Sequence, residues 1–200
     1  MAQLAELIEK AKLLHYHLCP RQVIGMRMGM LAGELLNLDL PQTDKRLYTF
    51  VETDGCFADG VSVATGCTLG HRTLRLIDHG KPAATFVDSE TDTAVRIYPH
   101  PNSRQAARDL LPDIEGHWEA MLEAYQQLPV DALLTWYPVS LTIDLKAIIS
   151  KHGSRVNCAV CGEEIINERE VIVDGQTLCR ACAGDSYFTR QPETALHVHR

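Results

Sequence analysis

Four cysteines set the first chemical expectation. Cys158, Cys161, Cys179 and Cys182 form a C-x2-C-x17-C-x2-C pattern. Each CxxC closes two thiolates and nearby backbone amides around one ion, and the intervening chain folds back to bring the pairs together. The spacing predicts a structural Zn²⁺ site. Gly162 follows the first pair, where the knuckle turn favours a residue without Cβ. The run ValIleValAspGlyGlnThrLeu over 171–178 reads as strand, turn, strand leading into the second pair. A redox reading of the two pairs is weaker, because a thioredoxin-type CxxC opens a helix after a buried strand and this segment has no such context.

The other three of the seven cysteines, Cys19, Cys56 and Cys67, are scattered along the chain, and His17 precedes Cys19 by two residues. On an extended stretch, residues i and i+2 share a face, so His17 and Cys19 could aim at one ion. The alternative is that Cys56 and Cys67 are small buried side chains, as free cysteines usually are.

Several elements must position these groups. Leu4, Leu7, Ile8, Ala11 and Leu14 repeat at the helical period, which predicts a helix over 3–16. Pro20 stands where a second helix begins, running to 36. In it Gly25, Gly29 and Gly33 recur every four residues, which suits close approach of another backbone at a cost in helix propensity. Residues 46–53 alternate as a strand, and 55–70 reads as a short helix between two cysteine-bearing turns. Residues 74–78 and 83–87 are expected to form a hairpin around HisGlyLys, with a further strand at 93–98. After the ProHisProAsnSer turn (99–103) come helices near 103–110 and 113–125, then AlaLeuLeuThrTrpTyr (132–137). The expected fold is α+β: N-terminal helices packed on an antiparallel sheet, plus a small C-terminal finger of treble-clef or zinc-ribbon type. The domains are expected at 1–150 and 151–200, with HisValHis (197–199) in a disordered tail. His15, His71, His79, His100 and His117 have no partner evident from sequence and read as surface or satisfied histidines.

Composition narrows the function. The chain has 200 residues, 46% of them hydrophobic, with 19 Lys+Arg against 26 Asp+Glu, a formal charge of −7. It is long enough to bury a core without staples. No run approaches the ~18 apolar residues of a membrane span, so a cytoplasmic protein without a membrane partner is expected. Residues 151–200 contribute only −1 of the charge, and a Cys₄–Zn centre adds negative charge. Nucleic acid is therefore not the expected partner, since phosphate tracking needs dense Lys/Arg.

Four motifs together resemble one known family. HisLeuCysPro (17–20) before the glycine-spaced helix, GlyCysPheAlaAspGly (55–60), ThrGlyCysThrLeuGly (65–70) and GlyLysProAlaAlaThrPhe (80–86) are similar to the FmdE family, which takes its name from a component of formylmethanofuran dehydrogenase. The C-terminal CxxCG…LCxxC resembles the zinc finger that some members carry. This chain has CysProArg (19–21) where the family commonly has Cys-Pro-Gly. The resemblance implies an α+β core that dimerises, and it places His17, Cys19, Cys56 and Cys67 in recurring motifs. They would then share a core site for a second Zn²⁺ or another transition metal. One imidazole with two or three thiolates suits a soft or borderline ion, and three ligands would leave a position open. Asp59, one helical turn after Cys56, would orient His17 or act as a general base; the alternative is a solvated acid at a helix N-terminus. Lys81 would offer a cation to an anionic substrate, or be a solvated turn residue. Thr65 and Thr68, flanking Gly66–Cys67, are expected to cap the short helix.

Two functions from different classes follow. One is a metal-dependent enzyme, or a subunit of an oxidoreductase related to formylmethanofuran dehydrogenase, acting in one-carbon metabolism within a larger complex. The other is a non-catalytic metal-binding accessory or sensor protein whose finger mediates protein or nucleic-acid contacts. Tyr187 and Phe188, just after the last cysteine, are apolar anchors suited to packing.

Overall fold

The computed structural model describes residues 2–14, 17–150 and 153–191, and the chain divides into units 1–143 and 144–200. His15 and the tail motif at 197–199 lie outside the described residues.

The first unit runs α1 (Leu4–Lys12), α2 (Pro20–Leu36), β1 (Leu47–Val51), α3 (Cys56–Thr65), β2 (Leu74–Leu76), β3 (Ala84–Asp88), β4 (Thr93–Pro99), α4 (Ser103–Leu110), α5 (His117–Gln127), α6 (Val130–Leu133) and β5 (Leu134–Val139). Helix α2 is central. Cys19 is its N-cap: the sulfur accepts an amide of the first turn, and the Cys19 N–H donates to Gln22 Oε1 at 3.0 Å. Pro20 fits the first helical position because its missing N–H would have had no partner there. Val23, Met26, Met28 and Ala32 are fully buried, as befits a helix covered on most sides. The glycine spacing works as expected. A Cβ on Gly25 would strike the Phe57 carbonyl oxygen and come within 2.8 Å of Val61 N, so α2 and α3 meet backbone to backbone.

The sheet order is β2-β1-β3-β4-β5. Only β1 and β2 are parallel, joined through α3; the other pairs are antiparallel. The fold is thus α+β, but the expected hairpin of 74–78 with 83–87 is not formed. Strand β1 lies between those segments. Ile77 N–H donates to Val51 O, His79 and Lys81 N–H donate to Glu52 O, and Glu52 N–H donates to Ala83 O, at 2.9–3.1 Å. Residues 77–83 therefore wrap the end of β1 instead of turning tightly on themselves. Thr65 closes the end of α3 as expected, its Oγ1 donating to Val61 O and accepting from Cys67 N–H, whereas Thr68 does not cap the helix: its Oγ1 accepts from His71 N–H in the turn that follows.

Two charge pairs tie the sheet. Arg46 forks onto buried Asp88, at 2.9 and 2.6 Å, and Arg96 forks onto Glu52, at 2.6 and 2.7 Å. The guanidinium hydrogen bonds hold the Asp88 carboxyl well below the usual carboxylate range, and Arg96 lowers that of Glu52. Folded pKa values below the unfolded ones of about 3.9–4.3 contribute stability that is present above that range and lost as pH falls through the folded values. The melting temperature of the first unit is accordingly expected to fall between about pH 5 and pH 2, and Asp88→Asn to flatten that slope at the cost of stability at neutral pH. Circular dichroism melts across this range check it; an unchanged slope in Asp88→Asn would refute the assignment.

The second unit contains α7 (Leu145–Ser150), β6 (Arg155–Asn157), β7 (Glu164–Ile166), β8 (Val171–Val173) and β9 (Gln176–Leu178), with β6–β7 and β8–β9 as hairpins. Asp174 and Gly175 take φ of 49° and 77°, the left-handed pair that a two-residue hairpin turn requires. Ala159 N–H donates to Thr177 O at 2.8 Å, which joins the two hairpins. Among the described residues no helix is long and apolar enough to cross a membrane.

Candidate functional site

The second unit brings all four predicted cysteines together. Ligand atoms of Cys158, Cys161, Cys179 and Cys182 lie within 4.8 Å of one another, and Zn–S bonds of about 2.3 Å in a tetrahedron need sulfurs about 3.8 Å apart. Gly162, at φ 77°, makes the knuckle: its N–H returns to Cys158 O at 2.9 Å, while Cys158 N–H reaches Glu163 O at 3.0 Å. Amides of Cys161 and Cys179 donate to the Cys158 sulfur and lower its pKa to about 6. Cys182 is pushed up to about 12, first by its hydrogen bond with Cys179 and then by burial. Four thiolates cannot ionise side by side without a cation, so the donor set fits a zinc ion, which would be held by all four sulfurs.

The first unit holds a cleft of about 810 Å³, within the size range of small-molecule sites. The start of α2 supplies Cys19, Pro20 and Arg21, and the start of α3 supplies Cys56. The turn after β2 adds Lys81, β4 adds Arg96 and Tyr98, the following turn His100, and α4 and α5 add Arg104, Trp118 and Tyr125. Arg27 on α2 fixes α5 by donating to the carbonyls of Tyr125 and Leu128, at 2.9 and 2.8 Å. Cys19 and Cys56 are neighbours there. Burial first, and then the neighbouring Cys19 sulfur, pushes the Cys56 thiol up.

The predicted core residues separate on this frame. Cys19, Cys56 and Lys81 line the cleft; His17 is exposed and is not among the lining residues. Asp59 sits in the first turn of α3, where its charge adds to the upward push on Cys56. Cys67 does not join the pair. Its thiol is 2% exposed, donates to Leu47 O at 3.4 Å and accepts from Thr49 Oγ1 at 3.5 Å. This is the small buried side chain of the alternative reading, placed against β1 by the turn after α3. Among the described residues, the finger cysteines are the one group of three or more His, Cys, Asp or Glu ligand atoms that close together. Sequence reasoning missed Arg21, Arg96, His100, Arg104 and Trp118. The ProHisProAsnSer motif is the available signal for His100, and it reads as a turn alone. His79, with no partner evident from sequence, lies 3.6 Å from Glu52.

Comparison with known proteins follows the same division. The sequence model of the family described as "FmdE, Molybdenum formylmethanofuran dehydrogenase operon" matches residues 14–135. That of the "Prokaryotic dksA/traR C4-type zinc finger" matches residues 153–188. A protein of Archaeoglobus fulgidus described as a probable S-adenosyl-L-methionine-binding protein is 27% identical over 208 residues; the match covers 93% of this chain and 55% of that one. The chain thus spans about half the length of that curated relative. The crystal structure of a tungsten formylmethanofuran dehydrogenase FmdE-like protein from Syntrophus aciditrophicus has the same fold, with a TM-score of 0.64 and 23% identity. That match covers 94% of this chain and 96% of that one.

Proposed function

The chain belongs to the FmdE family, and from that premise we propose that its core is a metal-dependent small-molecule site. In this reading the protein is an enzyme, or an oxidoreductase component, related to formylmethanofuran dehydrogenase and one-carbon chemistry. It works in the cytoplasm as a homodimer, and the finger serves protein contact. The observation that carries the reading is the Cys19–Cys56 pair at the cleft. Two adjacent soft donors fit a borderline divalent ion. Cys19 and Cys56 would hold it, leaving coordination positions for a ligand. Such an ion supplies Lewis-acid polarisation when bound.

The chain's own residues do the rest. Glu52 and Tyr137 hold Arg96 as a fixed wall, with Nη1 2.9 Å from the Tyr137 hydroxyl. His100 Nδ1 accepts the Asn102 N–H at 3.1 Å. The neutral ring therefore carries its proton on Nε2, the nitrogen left to exchange it with a ligand.

Metal analysis of the purified full chain is expected to give two metal ions per chain, falling to one in the Cys19→Ser/Cys56→Ser variant and staying at two in Cys67→Ser. One ion in the unaltered protein, or two in the double variant, would overturn the core site. The Archaeoglobus relative makes S-adenosyl-L-methionine a ligand to titrate. Its sulfonium charge would face Arg21, Lys81 and Arg104 across the cleft, so an anion is expected to bind better.

A further inference from the structure

We infer that the cleft recognises a phosphorylated small organic molecule, with Arg21, Lys81 and Arg104 holding the phosphate and Trp118 offering a face to the rest. The inference rests on reading the cleft as a small-molecule site, but not on the metal at Cys19 and Cys56. Charge is its foundation. The residues lining the cleft include Arg21, Lys81, Arg96 and Arg104 and no aspartate or glutamate. Of these, Arg96 is compensated by the two-pronged contact with Glu52. The other three cations come from separate elements, the start of α2, the turn after β2 and the start of α4, and still converge on one cavity. The Tyr125 phenol, which lines the same cleft, lies near both Ser103 and Arg104.

The backbone adds to the same field. Helices α2, α3 and α4 all present first-turn residues to the cleft: Arg21 on α2, Cys56 on α3 and Ser103 on α4. Each helix start carries a partial positive charge. Three cations and three helix starts around one space exceed what a single carboxylate needs, and they match the two charges and several acceptor oxygens of a phosphate monoester. The lining also has an apolar and aromatic part, from Ile24, Trp118 and Met121. Trp118 is 42% exposed, which leaves its ring open to stack on an organic group.

Isothermal titration of the full, metal-replete chain tests this with AMP, adenosine, inorganic phosphate and citrate. AMP is expected to bind at least about tenfold more tightly than each of the other three, with affinity falling as salt rises. Lys81→Ala/Arg104→Ala, at two exposed positions that the fold does not need, should weaken AMP by about a hundredfold, and Arg104→Lys should restore much of the loss relative to Arg104→Ala. Adenosine binding as well as AMP, or no loss in the double variant, would overturn the phosphate assignment. Inorganic phosphate binding as tightly as AMP would overturn the organic part of it, and citrate equal to AMP would overturn phosphate in favour of carboxylates. Metal content measured on the same samples separates the two readings. AMP binding to a core without metal refutes the metal site and leaves this inference standing, whereas a metal-loaded core indifferent to AMP does the reverse.

Discussion

Cys158→Ser, or removal of zinc by a chelator, is expected to unfold residues 156–188 while the first unit keeps its melting transition and its own metal. The finger has too little apolar packing to fold without the ion: among the described residues its buried cluster is Cys158, Ile165 and Leu178, with Val156 and the neighbouring cysteines against it. A core that small does not offset the entropy of ordering the segment. Structural zinc contributes an apparent ~10–16 kcal/mol in small domains of this kind, far more than three buried side chains can. The thiols show why the ion is needed: with Cys158 drawn down to about 6 and Cys182 driven up to about 12, the four sulfurs do not ionise together in its absence. Acid should have the same effect as the chelator, since protons compete for the thiolates. Limited proteolysis read by mass spectrometry, with metal counted on the same sample, checks it. Cleavage confined to 156–188 and loss of one ion is the expected result. A finger that stays protected after chelation, or loss of both ions in Cys158→Ser, would sink the two-site arrangement.

What could be read from the sequence follows from how local each feature is. The CxxC pairs are legible because four ligands within 25 residues need only two turns and a hairpin to meet. The α2–α3 contact is legible because Gly25 and Gly29 mark one helix face by spacing alone. Strand order is another matter. Residues 74–78 and 83–87 look like a hairpin by proximity, and nothing local reveals that β1, more than twenty residues earlier, lies between them. Residue type and family motif group Cys67 with Cys19 and Cys56. The turn after α3 instead points it at Leu47 O and Thr49 Oγ1, where burial keeps the thiol protonated. Of the cleft's cations Lys81 is legible from its motif, but Arg21 and Arg104 are not: they stand about 60 and 23 residues from it, and only the tertiary fold makes them neighbours.

Gly60→Ala is expected to destabilise the first unit at the point where α2 meets α3. A single methyl there would strike the Gln22 carbonyl oxygen and lie 2.9 Å from both Gln22 C and Cα. These are backbone atoms, so no rotamer change relieves the contact and the two helices must separate. Overpacking of this kind costs about 1–3 kcal/mol and more where backbone must move, against a gain of about 1 kcal/mol from replacing glycine in a helix. A net loss of about 2 kcal/mol corresponds to roughly 4–8 °C in melting temperature for a chain of this length. The consequence reaches the cleft, because Gln22 is three residues from Cys19 and Gly60 four from Cys56. Helices held apart at that point carry their cysteines apart, so Gly60→Ala should lose core metal as well as stability. Gly70→Ala is the control: its nearest neighbour would be Thr68 Oγ1 at 4.0 Å, and its melting and metal content should match the unaltered chain. If Gly60→Ala melts with Gly70→Ala, the close backbone contact is not what joins α2 to α3. If it is destabilised yet keeps two metal ions, the coupling between that contact and the Cys19–Cys56 pair is refuted.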